Sequence, residues 1–284
     1  MRTLILGGTG MLGSALVAEL RRRCRPALGL SHHQSDITDR ARLAYWCDAF
    51  RPQVVINCAA FTRVDECETR EADAIEINGE AVGHVAAAAE RAGARLLQLS
   101  TDYVFDGTAD APYREDAATG PRSAYGRSKL LGEQRALAYD RSLVIRVSWL
   151  FGPGGANFVA TMMRLVEAGH RTLRVVDDQV GGPTYTPFLA RALADLAESE
   201  ATGIVHYQNR EPVSWYGFTR EIMHLWRPEV EVLPVTTEEF PRPAPRPAYS
   251  VLDVGRCEQI LGRRVEPWIA GLAEYLAILR RMES

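Results

Sequence analysis

Tyr125 and Lys129 form a Y-x-x-x-K pair whose residue types and spacing suit proton transfer. Side chains four residues apart lie on one face of a helix, so the phenol and the ammonium can serve one site. A free phenol has a pKa of about 10, and a neighbouring cation stabilises the phenolate and lowers that value. Such a tyrosine can donate a proton to a carbonyl oxygen while hydride arrives at the carbon. The pair therefore predicts carbonyl reduction, or alcohol oxidation in reverse.

The same spacing also occurs in exposed helical pairs without a catalytic role, so its interpretation depends on the neighbouring elements. The segment Leu99–Tyr103 reads L-S-T-D-Y and lies where the fourth long strand is expected to end. Ligands bind at the carboxyl ends of parallel strands, where the hydroxyl of Thr101 can hydrogen-bond the same carbonyl. We therefore expect Thr101, Tyr125 and Lys129 to act together.

A glycine turn follows the first strand and opens the first helix, with Gly7, Gly10 and Gly13 in the pattern G-x-x-G-x-x-G. Missing side chains let the backbone approach a pyrophosphate, and the free N–H groups of the helix N-terminus attract its charge. Glycine also serves turns for purely structural reasons, so the motif alone is weak. Its place between a strand and a helix favours a dinucleotide site.

The loop after the second strand bears on the choice of cofactor. Sites that prefer NAD usually carry an acid there, which bonds the ribose 2′-hydroxyl. This sequence reads Leu30-Ser31-His32-His33 and has no carboxylate before Asp36. Because no acid repels a 2′-phosphate, and Ser31, His32 or His33 can donate to one, we expect NADPH, with NADH as the alternative. Solvated loop histidines explain the pair equally well.

The elements that must position these groups alternate in the first half of the chain. Short apolar runs predict strands at Leu4–Leu6, Ala27–Leu30, Val54–Asn57, Leu96–Leu99 and Leu143–Val147. Helical periodicity predicts helices near 11–23, 39–50, 70–92 and 123–138. Repeated β-α units imply a parallel sheet covered on both faces, so we predict an α/β fold of the Rossmann type, with a doubly wound sheet.

The alternation weakens after residue 150, where loops rich in glycine and proline separate further helices. We therefore expect a smaller α/β lobe that covers a cleft and binds the substrate. The predicted NAD(P)-binding domain comprises residues 1–150 with part of 171–202. The predicted substrate lobe comprises residues 151–170 and 203–284.

Composition excludes several classes of protein. The chain is 46% hydrophobic and 24% charged with a net charge of −3, which gives no reason to expect nucleic acid or an anionic membrane as partner. No apolar run reaches the roughly 18 residues of a membrane span. Five widely spaced cysteines without a C-x-x-C pair favour a reducing compartment and no metal site. The sequence begins directly with a strand, so we expect no signal peptide and a cytoplasmic location.

Taken together, these residues resemble the extended short-chain dehydrogenase/reductase family and, within it, the dTDP-4-dehydrorhamnose reductases. The resemblance covers nearly the whole chain. Its carriers are Gly7–Gly13, Asp36–Asp39, Pro52–Thr62, Ser100–Gly107, Tyr125–Lys129, Arg146–Gly152, Asp178–Thr184, Ser214–Tyr216 and Arg246–Ser250.

The resemblance implies hydride transfer from NAD(P)H to C4 of a dTDP-4-keto-6-deoxy sugar, giving dTDP-L-rhamnose, by a monomer or homodimer. It implies Thr101, Tyr125 and Lys129 as the catalytic set. It implies these cofactor contacts in addition to Tyr125 and Lys129: Gly7, Gly10, Met11, Leu12, Gly13, Asp36, Ile37, Ala59, Ala60, Phe61 and Thr62. It implies a sugar pocket lined by Thr101, Asp102, Tyr103 and Trp149, although Trp149 is also a natural core residue.

Three positions depart from the family pattern. One is Cys58, where alanine is more usual, and this change matters little for packing. Relatives that dimerise through magnesium carry a glutamate where this chain has Ala15, so we expect no such metal site. Tyr249 stands where the family usually has asparagine, beside the expected nucleotide-sugar pocket, and is a candidate for altering substrate choice.

Three alternatives stay open at this stage. A 4,6-dehydratase or 4-epimerase is disfavoured because Tyr103 occupies the place where dehydratases carry glutamate. A ketoreductase for another NDP-4-keto-6-deoxyhexose would need few changed contacts. A non-catalytic regulatory subunit, resembling that of methionine adenosyltransferase, is disfavoured by the intact Thr101, Tyr125 and Lys129 set.

Overall fold

The computed structural model describes residues 1–283. The strands within this range are β1 Thr3–Leu6, β2 Ala27–Leu30, β3 Val54–Asn57, β4 Arg95–Thr101, β5 Ser142–Val147, β6 Leu150–Phe151, β7 Thr172–Val176, β8 Val180–Gly181, β9 Thr184–Tyr185, β10 Gly203–Tyr207, β11 Val213–Ser214 and β12 Glu231–Val235. The α-helices are α1 Met11–Arg22, α2 Arg40–Phe50, α3 Val64–Thr69, α4 Glu71–Ala74, α5 Ala81–Arg91, α6 Ala124–Leu137, α7 Phe158–Glu167, α8 Thr186–Glu198, α9 Trp215–Trp226, α10 Gly255–Leu261 and α11 Trp268–Glu283.

Six strands form one parallel sheet in the order β10-β5-β4-β3-β1-β2. Every residue of β1, β3, β4 and β5 is buried, because helices cover both faces of the sheet. One core lies between the sheet and helices α1 and α8, and a second lies under α2 and α5. The predicted doubly wound sheet of the Rossmann type is confirmed.

A separate hydrophobic core joins the later elements. Helices α7, α9 and α11 pack around the parallel pair β7 and β12, and large apolar side chains such as Met162, Phe218 and Leu272 are buried between them. This group of elements is the smaller lobe. None of the helices within residues 1–283 combines the length and the apolar character that a membrane crossing needs.

Two segments differ from the division expected from the sequence. Residues 203–207 were assigned to the substrate lobe, but β10 pairs with β5 in the large sheet. Within 171–202, which was assigned in part to the first domain, β7 instead pairs with β12, whereas α8 packs against α1. Short strands carry no local signal that names their hydrogen-bonding partner, so the alternating pattern could not decide these assignments.

The helix predicted near 70–92 is interrupted. Helix α4 leads into a π-helical segment, Ile75–Glu80, which continues directly into α5. Segments of this kind often mark functional sites, because the wider turn redirects side chains and backbone carbonyls. Here the π-helical segment lies against α6, the helix that carries Tyr125 and Lys129.

Candidate active site

The glycine turn after β1 is shaped for a close approach of backbone to ligand. Gly7 has a φ of +73°, a conformation that favours glycine. A Cβ on Gly13 would lie 2.2 Å from the carbonyl oxygen of Gly7, so a side chain there would push α1 away from the turn. The N-cap of α1 is Gly10, and no side chain caps the helix. Its first N–H groups therefore suit a phosphate.

A cavity of about 350 Å³ adjoins this turn. Its lining contains seven of the predicted cofactor residues, namely Gly7, Gly10, Asp36, Ile37, Ala59, Ala60 and Phe61. Met11, Leu12 and Gly13 form the first turn of α1 beside it, and Thr62 lines the neighbouring cavity instead. The uncapped helix start and the partly apolar cavity fit a dinucleotide.

The loop after β2 contributes to this cavity through fewer residues than expected. His32 lines the cavity, whereas the Ser31 hydroxyl donates to the side-chain oxygen of Gln34 at 3.0 Å. Ser35, which the sequence reasoning did not single out, also lines it. Of the three expected donors to a 2′-phosphate, His32 is the one that the fold brings to the cavity.

Two arginines at the cavity edge were missed. The guanidinium groups of Arg63 and Arg70 lie 5.4 Å and 5.2 Å from the ring centroid of Phe61, and both side chains line the cavity. Cations at this position suit an anionic cofactor. Their sequence context gave little signal, because arginines interspersed with glutamates in a helix usually indicate a solvated face.

Helix α6 begins at a serine cap and packs closely against neighbouring backbone at two glycines. Ser123 caps the helix by accepting a hydrogen bond from the Gly126 N–H at 3.1 Å. A Cβ on Gly126 would lie 2.2 Å from the carbonyl oxygen of Tyr103, and one on Gly132 would lie 2.1 Å from that of Asn78. Backbone contact at both points leaves α6 no room to shift, and this fixes Tyr125 relative to β4.

Tyr125 lies beside the carboxyl end of β4, as expected. Its phenol lies near the hydroxyl of Thr101, and its ring packs edge-on against Tyr103 with centroids 5.6 Å apart. Burial raises the pKa of the Tyr125 phenol well above its ordinary value, although the Thr101 hydroxyl opposes the shift. The acidic phenol expected from the sequence is therefore not found, and Tyr125 holds its proton at neutral pH.

Lys129 is buried one turn further along α6, with 4% of its surface exposed. Its ammonium donates to the backbone carbonyl of Leu99 at 2.6 Å and has no hydrogen bond to the phenol in the described structure. Burial lowers the pKa of Lys129 to about 8, while the nearby carboxylate of Glu133 opposes this shift. The side chain thus stays mostly charged at neutral pH and spans from α6 to the end of β4.

Asn78, in the π-helical segment, is a positioning residue that sequence reasoning missed. Its side-chain oxygen accepts from the Phe61 N–H at 2.7 Å, and its amide donates to the Phe61 carbonyl at 3.0 Å. The same amide donates to the Ser128 hydroxyl at 3.1 Å. Asn78 therefore joins the loop after β3 to α6, next to Lys129. A lone asparagine in a helical stretch carries no signal for this role.

A buried ion pair lies behind the candidate site. Arg146 on β5 binds both carboxylate oxygens of Glu133 at 2.9 Å and 2.7 Å, and these side chains are only 3% and 2% exposed. Ser100 donates to Glu133 at 2.5 Å. Burial, reinforced by Arg146, lowers the pKa of His206 to about 3, so this histidine is neutral beside the guanidinium. The network ties α6, β4, β5 and β10 together.

The predicted sugar-pocket residues cluster at the same edge of the sheet. Asp102 is 2% exposed, and its Oδ1 lies 3.0 Å from the Thr101 hydroxyl. The guanidinium of Arg246 lies 5.9 Å from the Tyr103 ring and is paired with Asp65 at 2.9 Å, which links the two lobes.

Trp149 lies in an aromatic stack. Its indole is parallel to that of Trp215 with centroids 3.4 Å apart, and Gly181 lies directly against it. Its φ is +46°, a left-handed conformation. Tyr249 packs near Tyr113, with ring centroids 6.5 Å apart, and its neighbour Ser250 lies beside Asp102. The structure thus places the unusual Tyr249 one residue from the candidate pocket.

The parallel sheet, the glycine turn and the Thr101, Tyr125 and Lys129 cluster define a dehydrogenase/reductase of the Rossmann type. A family model described as the RmlD substrate binding domain matches residues 1–281. The chain belongs to this family.

Three similar proteins illustrate the likeness. A dTDP-4-dehydrorhamnose reductase of Streptomyces griseus is 44% identical over 281 residues, covering 96% of this chain and 92% of the relative. A dTDP-4-keto-6-deoxy-D-glucose reductase of Streptomyces niveus is 38% identical over 100% of this chain and 99% of the relative. The crystal structure of a Bacillus anthracis dTDP-4-dehydrorhamnose reductase in complex with NADP is 35% identical, with a TM-score of 0.93 over 97% of this chain and 98% of that chain.

Proposed function

We propose that this chain is an NADPH-dependent reductase of a dTDP-4-keto-6-deoxy sugar, and that dTDP-L-rhamnose is its product. The observation that carries the proposal is the cluster of Thr101, Tyr125 and Lys129 at the carboxyl end of β4, where Tyr125 packs in one apolar cluster with Phe61 and Lys129 lies near Cys58. Phe61 and Cys58 both line the candidate dinucleotide cavity. The names of the similar reductases and the NADP complex support the same reaction.

In the proposed mechanism the bound NADPH supplies a hydride to C4 of the sugar. Tyr125 holds its proton because burial disfavours the phenolate, so it can donate to the carbonyl oxygen as negative charge develops there. Lys129, one turn further along α6, would supply the positive charge that stabilises the phenolate left behind. Asn78 and the glycines of α6 fix the position of Tyr125 relative to the loop after β3, which is proposed to contact the cofactor.

The substrate is held, in this proposal, between the two lobes. The large lobe would contact the substrate through Asp102, Tyr103 and Trp149. Arg246 of the smaller lobe lies in the same region, beside the Tyr103 ring. The paired lobes would exclude water from the reacting carbon. We further propose a cytoplasmic enzyme, monomeric or homodimeric, in keeping with its five unpaired cysteines.

The direct test incubates the purified protein with NADPH and dTDP-4-keto-6-deoxy-L-mannose, followed by identification of the product by mass spectrometry and NMR. We expect stoichiometric NADPH oxidation and dTDP-L-rhamnose. A panel of other NDP-4-keto sugars serves as the comparison. Absence of NADPH oxidation with every sugar nucleotide would refute the proposal.

A second candidate substrate is another NDP-4-keto-6-deoxyhexose. The observation that favours it is Tyr249, whose neighbour Ser250 lies beside Asp102, together with the similarity to the Streptomyces niveus reductase. Faster reduction of a different sugar epimer in the same panel would select this candidate. The hydride chemistry and its residues would be unchanged.

Replacing Lys129 by methionine should impair both turnover and cofactor binding. Methionine fills similar space without the charge or the hydrogen bond to Leu99. We expect kcat to fall by about 100-fold, as for loss of a group that assists proton transfer. We expect the Kd for NADPH, measured by fluorescence titration, to rise by about tenfold. A change in neither quantity would remove Lys129 from the site.

The cofactor preference can be tested separately. His32 lines the cavity, and no carboxylate precedes Asp36 in the loop after β2. We therefore expect kcat/KM to be higher for NADPH than for NADH, by about tenfold, equivalent to about 1.4 kcal/mol. A strong preference for NADH would show that this loop recognises an unmodified ribose.

A further inference from the structure

Residues 58–66 form a wall that two cavities share. Residues 58–61 and Arg63 line the candidate dinucleotide cavity, whereas residues 62–66 line a second cavity of about 570 Å³. Residues around the start of α7 and Arg246 also line this second cavity, so it lies between the two lobes. Any movement of the shared wall therefore alters both cavities.

A proline-rich strap, residues 236–248, runs from the smaller lobe towards this wall. Proline has no backbone N–H and keeps the residue before it extended, so the strap, with proline at every second position from 241 to 247, cannot hold itself in place. At its start, the carboxylate of Asp178 accepts from the Thr237 N–H at 2.8 Å and from the Thr237 hydroxyl at 2.7 Å. Asp178 follows β7 and Thr237 follows β12, so this anchor lies within the smaller lobe.

Asp65, in the first turn of α3, binds the middle of the strap. Its Oδ1 accepts from the Ala244 N–H at 3.2 Å and from the Arg246 guanidinium at 2.9 Å. Arg246 also donates to the Ala244 carbonyl at 3.0 Å, which holds its side chain along the strap. Ala244 is 1% exposed, whereas the prolines on either side of it are exposed. Within residues 1–283, no other backbone N–H of 241–247 makes a hydrogen bond, so Asp65 anchors this stretch to the large lobe.

The guanidinium of Arg246 also lies beside the candidate sugar pocket, 5.9 Å from the ring centroid of Tyr103. One side chain is thus next to the pocket and hydrogen-bonded to the shared wall. The Asp65 carboxylate itself does not suit the diphosphate of a nucleotide sugar, because the two negative charges repel each other. Asp65 therefore suits the strap better than it suits the ligand.

We propose that Asp65 is a positioning residue that docks the strap on the shared wall and thereby couples the binding of NADPH to the binding of the sugar nucleotide. This inference rests on the reductase function proposed above. NADPH restrains the wall from the cofactor side, and the sugar nucleotide restrains Tyr103 and the strap beside it. Each ligand therefore binds best when the strap is docked, and each favours the docked arrangement that the other needs.

Hydrogen exchange of the strap tests this coupling without any sugar nucleotide. Prolines alternate with other residues from 241 to 247, so a peptide covering this stretch reports few amides, and that of Ala244 is the hydrogen-bonded one. In the wild type we expect saturating NADPH to slow its exchange by about tenfold, a typical effect between coupled sites. In Asp65→Ala the strap has lost its acceptor, so NADPH should leave this exchange unchanged.

The coupling itself is measured as the Kd for NADPH by fluorescence titration, without and with saturating dTDP-L-rhamnose. NADPH cannot reduce C4 of this proposed product further, so the ternary complex is stable. We expect the sugar nucleotide to lower the wild-type Kd for NADPH about tenfold and to leave that of Asp65→Ala unchanged. Asp65→Asn keeps an oxygen that can accept from the Ala244 N–H but lacks the charge, so its factor should lie between the two.

Asp178→Ala is the matched control, because it removes a carboxylate that binds the same strap within the smaller lobe. Its coupling factor should equal that of the wild type. Equal loss of coupling in both variants would overturn the role of Asp65, since any loosening of the strap would then suffice. An Asp65→Ala protein that binds the sugar nucleotide more weakly but keeps the tenfold factor would also overturn it, because that result describes a direct contact with the ligand.

The exchange experiment separates this inference from the proposed function. An active reductase whose strap exchanges at the same rate with and without NADPH would refute the role of Asp65 alone. A protein whose strap exchange is slowed by NADPH, but which oxidises NADPH with no 4-keto sugar, would refute the proposed function instead.

Discussion

Tyr125→Phe is expected to lower kcat by about 10²–10⁴-fold, the range that general acid catalysis contributes. The variant keeps the ring and its edge-on contact with Tyr103, but loses the proton that the C4 oxygen requires. Burial keeps the Tyr125 phenol protonated, so the proton is present for donation. Steady-state kinetics with the sugar nucleotide measures the loss, and the Kd for NADPH should change little.

Tyr139→Phe is the control for this experiment. Tyr139 is also a partly buried phenol, and it donates to the Ala94 carbonyl at 2.8 Å. It follows the C-terminal end of α6, whereas Tyr125 lies in the first turn of that helix. Its variant should retain the wild-type kcat. Near-normal turnover by Tyr125→Phe would mean that another group delivers the proton, and the proposed mechanism would have to be abandoned.

Arg146→Met should reduce the free energy of unfolding by about 3–5 kcal/mol, because it leaves the buried carboxylate of Glu133 without its cation. The remaining Ser100 hydrogen bond cannot offset an unpaired buried charge. The melting temperature should fall by on the order of 10 °C. Differential scanning calorimetry provides the measurement.

Two further variants decide whether burial is the cause. Arg135→Met removes an arginine from an exposed pair with Glu80, whose side chains are 48% and 47% exposed, and should leave the melting temperature almost unchanged. The double variant Arg146→Met/Glu133→Leu removes both charges and should recover much of the loss. Equal melting temperatures for Arg146→Met and Arg135→Met would contradict the assigned role of the network.

The sequence was sufficient for the features that depend on local pattern. Alternating apolar runs and helical periodicity predicted the strands and helices of the large lobe, and the glycine turn predicted the first βα junction. The Y-x-x-x-K spacing placed Tyr125 and Lys129 on one helix face, next to the end of β4. These predictions succeed because each rests on residues close together along the chain.

The remaining features depend on pairings between distant segments. The position of β10 beside β5, the contact of Asn78 with Phe61 and Ser128, and the buried pair of Glu133 and Arg146 each join separate elements. The pKa of Tyr125 was also wrong in direction, because burial depends on the packed structure and outweighs the spacing to Lys129. A single sequence carries no signal for such terms.

The close contacts of Gly126 and Gly132 with backbone carbonyls have a consequence for how this enzyme can diversify. The proton donor Tyr125 lies on α6, where a larger side chain at either glycine would displace the helix. Substitutions at these two positions would therefore misalign Tyr125. Tyr249 lies in a loop outside this helix. New sugar specificities should therefore evolve, or be engineered, through changes in the smaller lobe, while α6 and the large lobe stay unchanged.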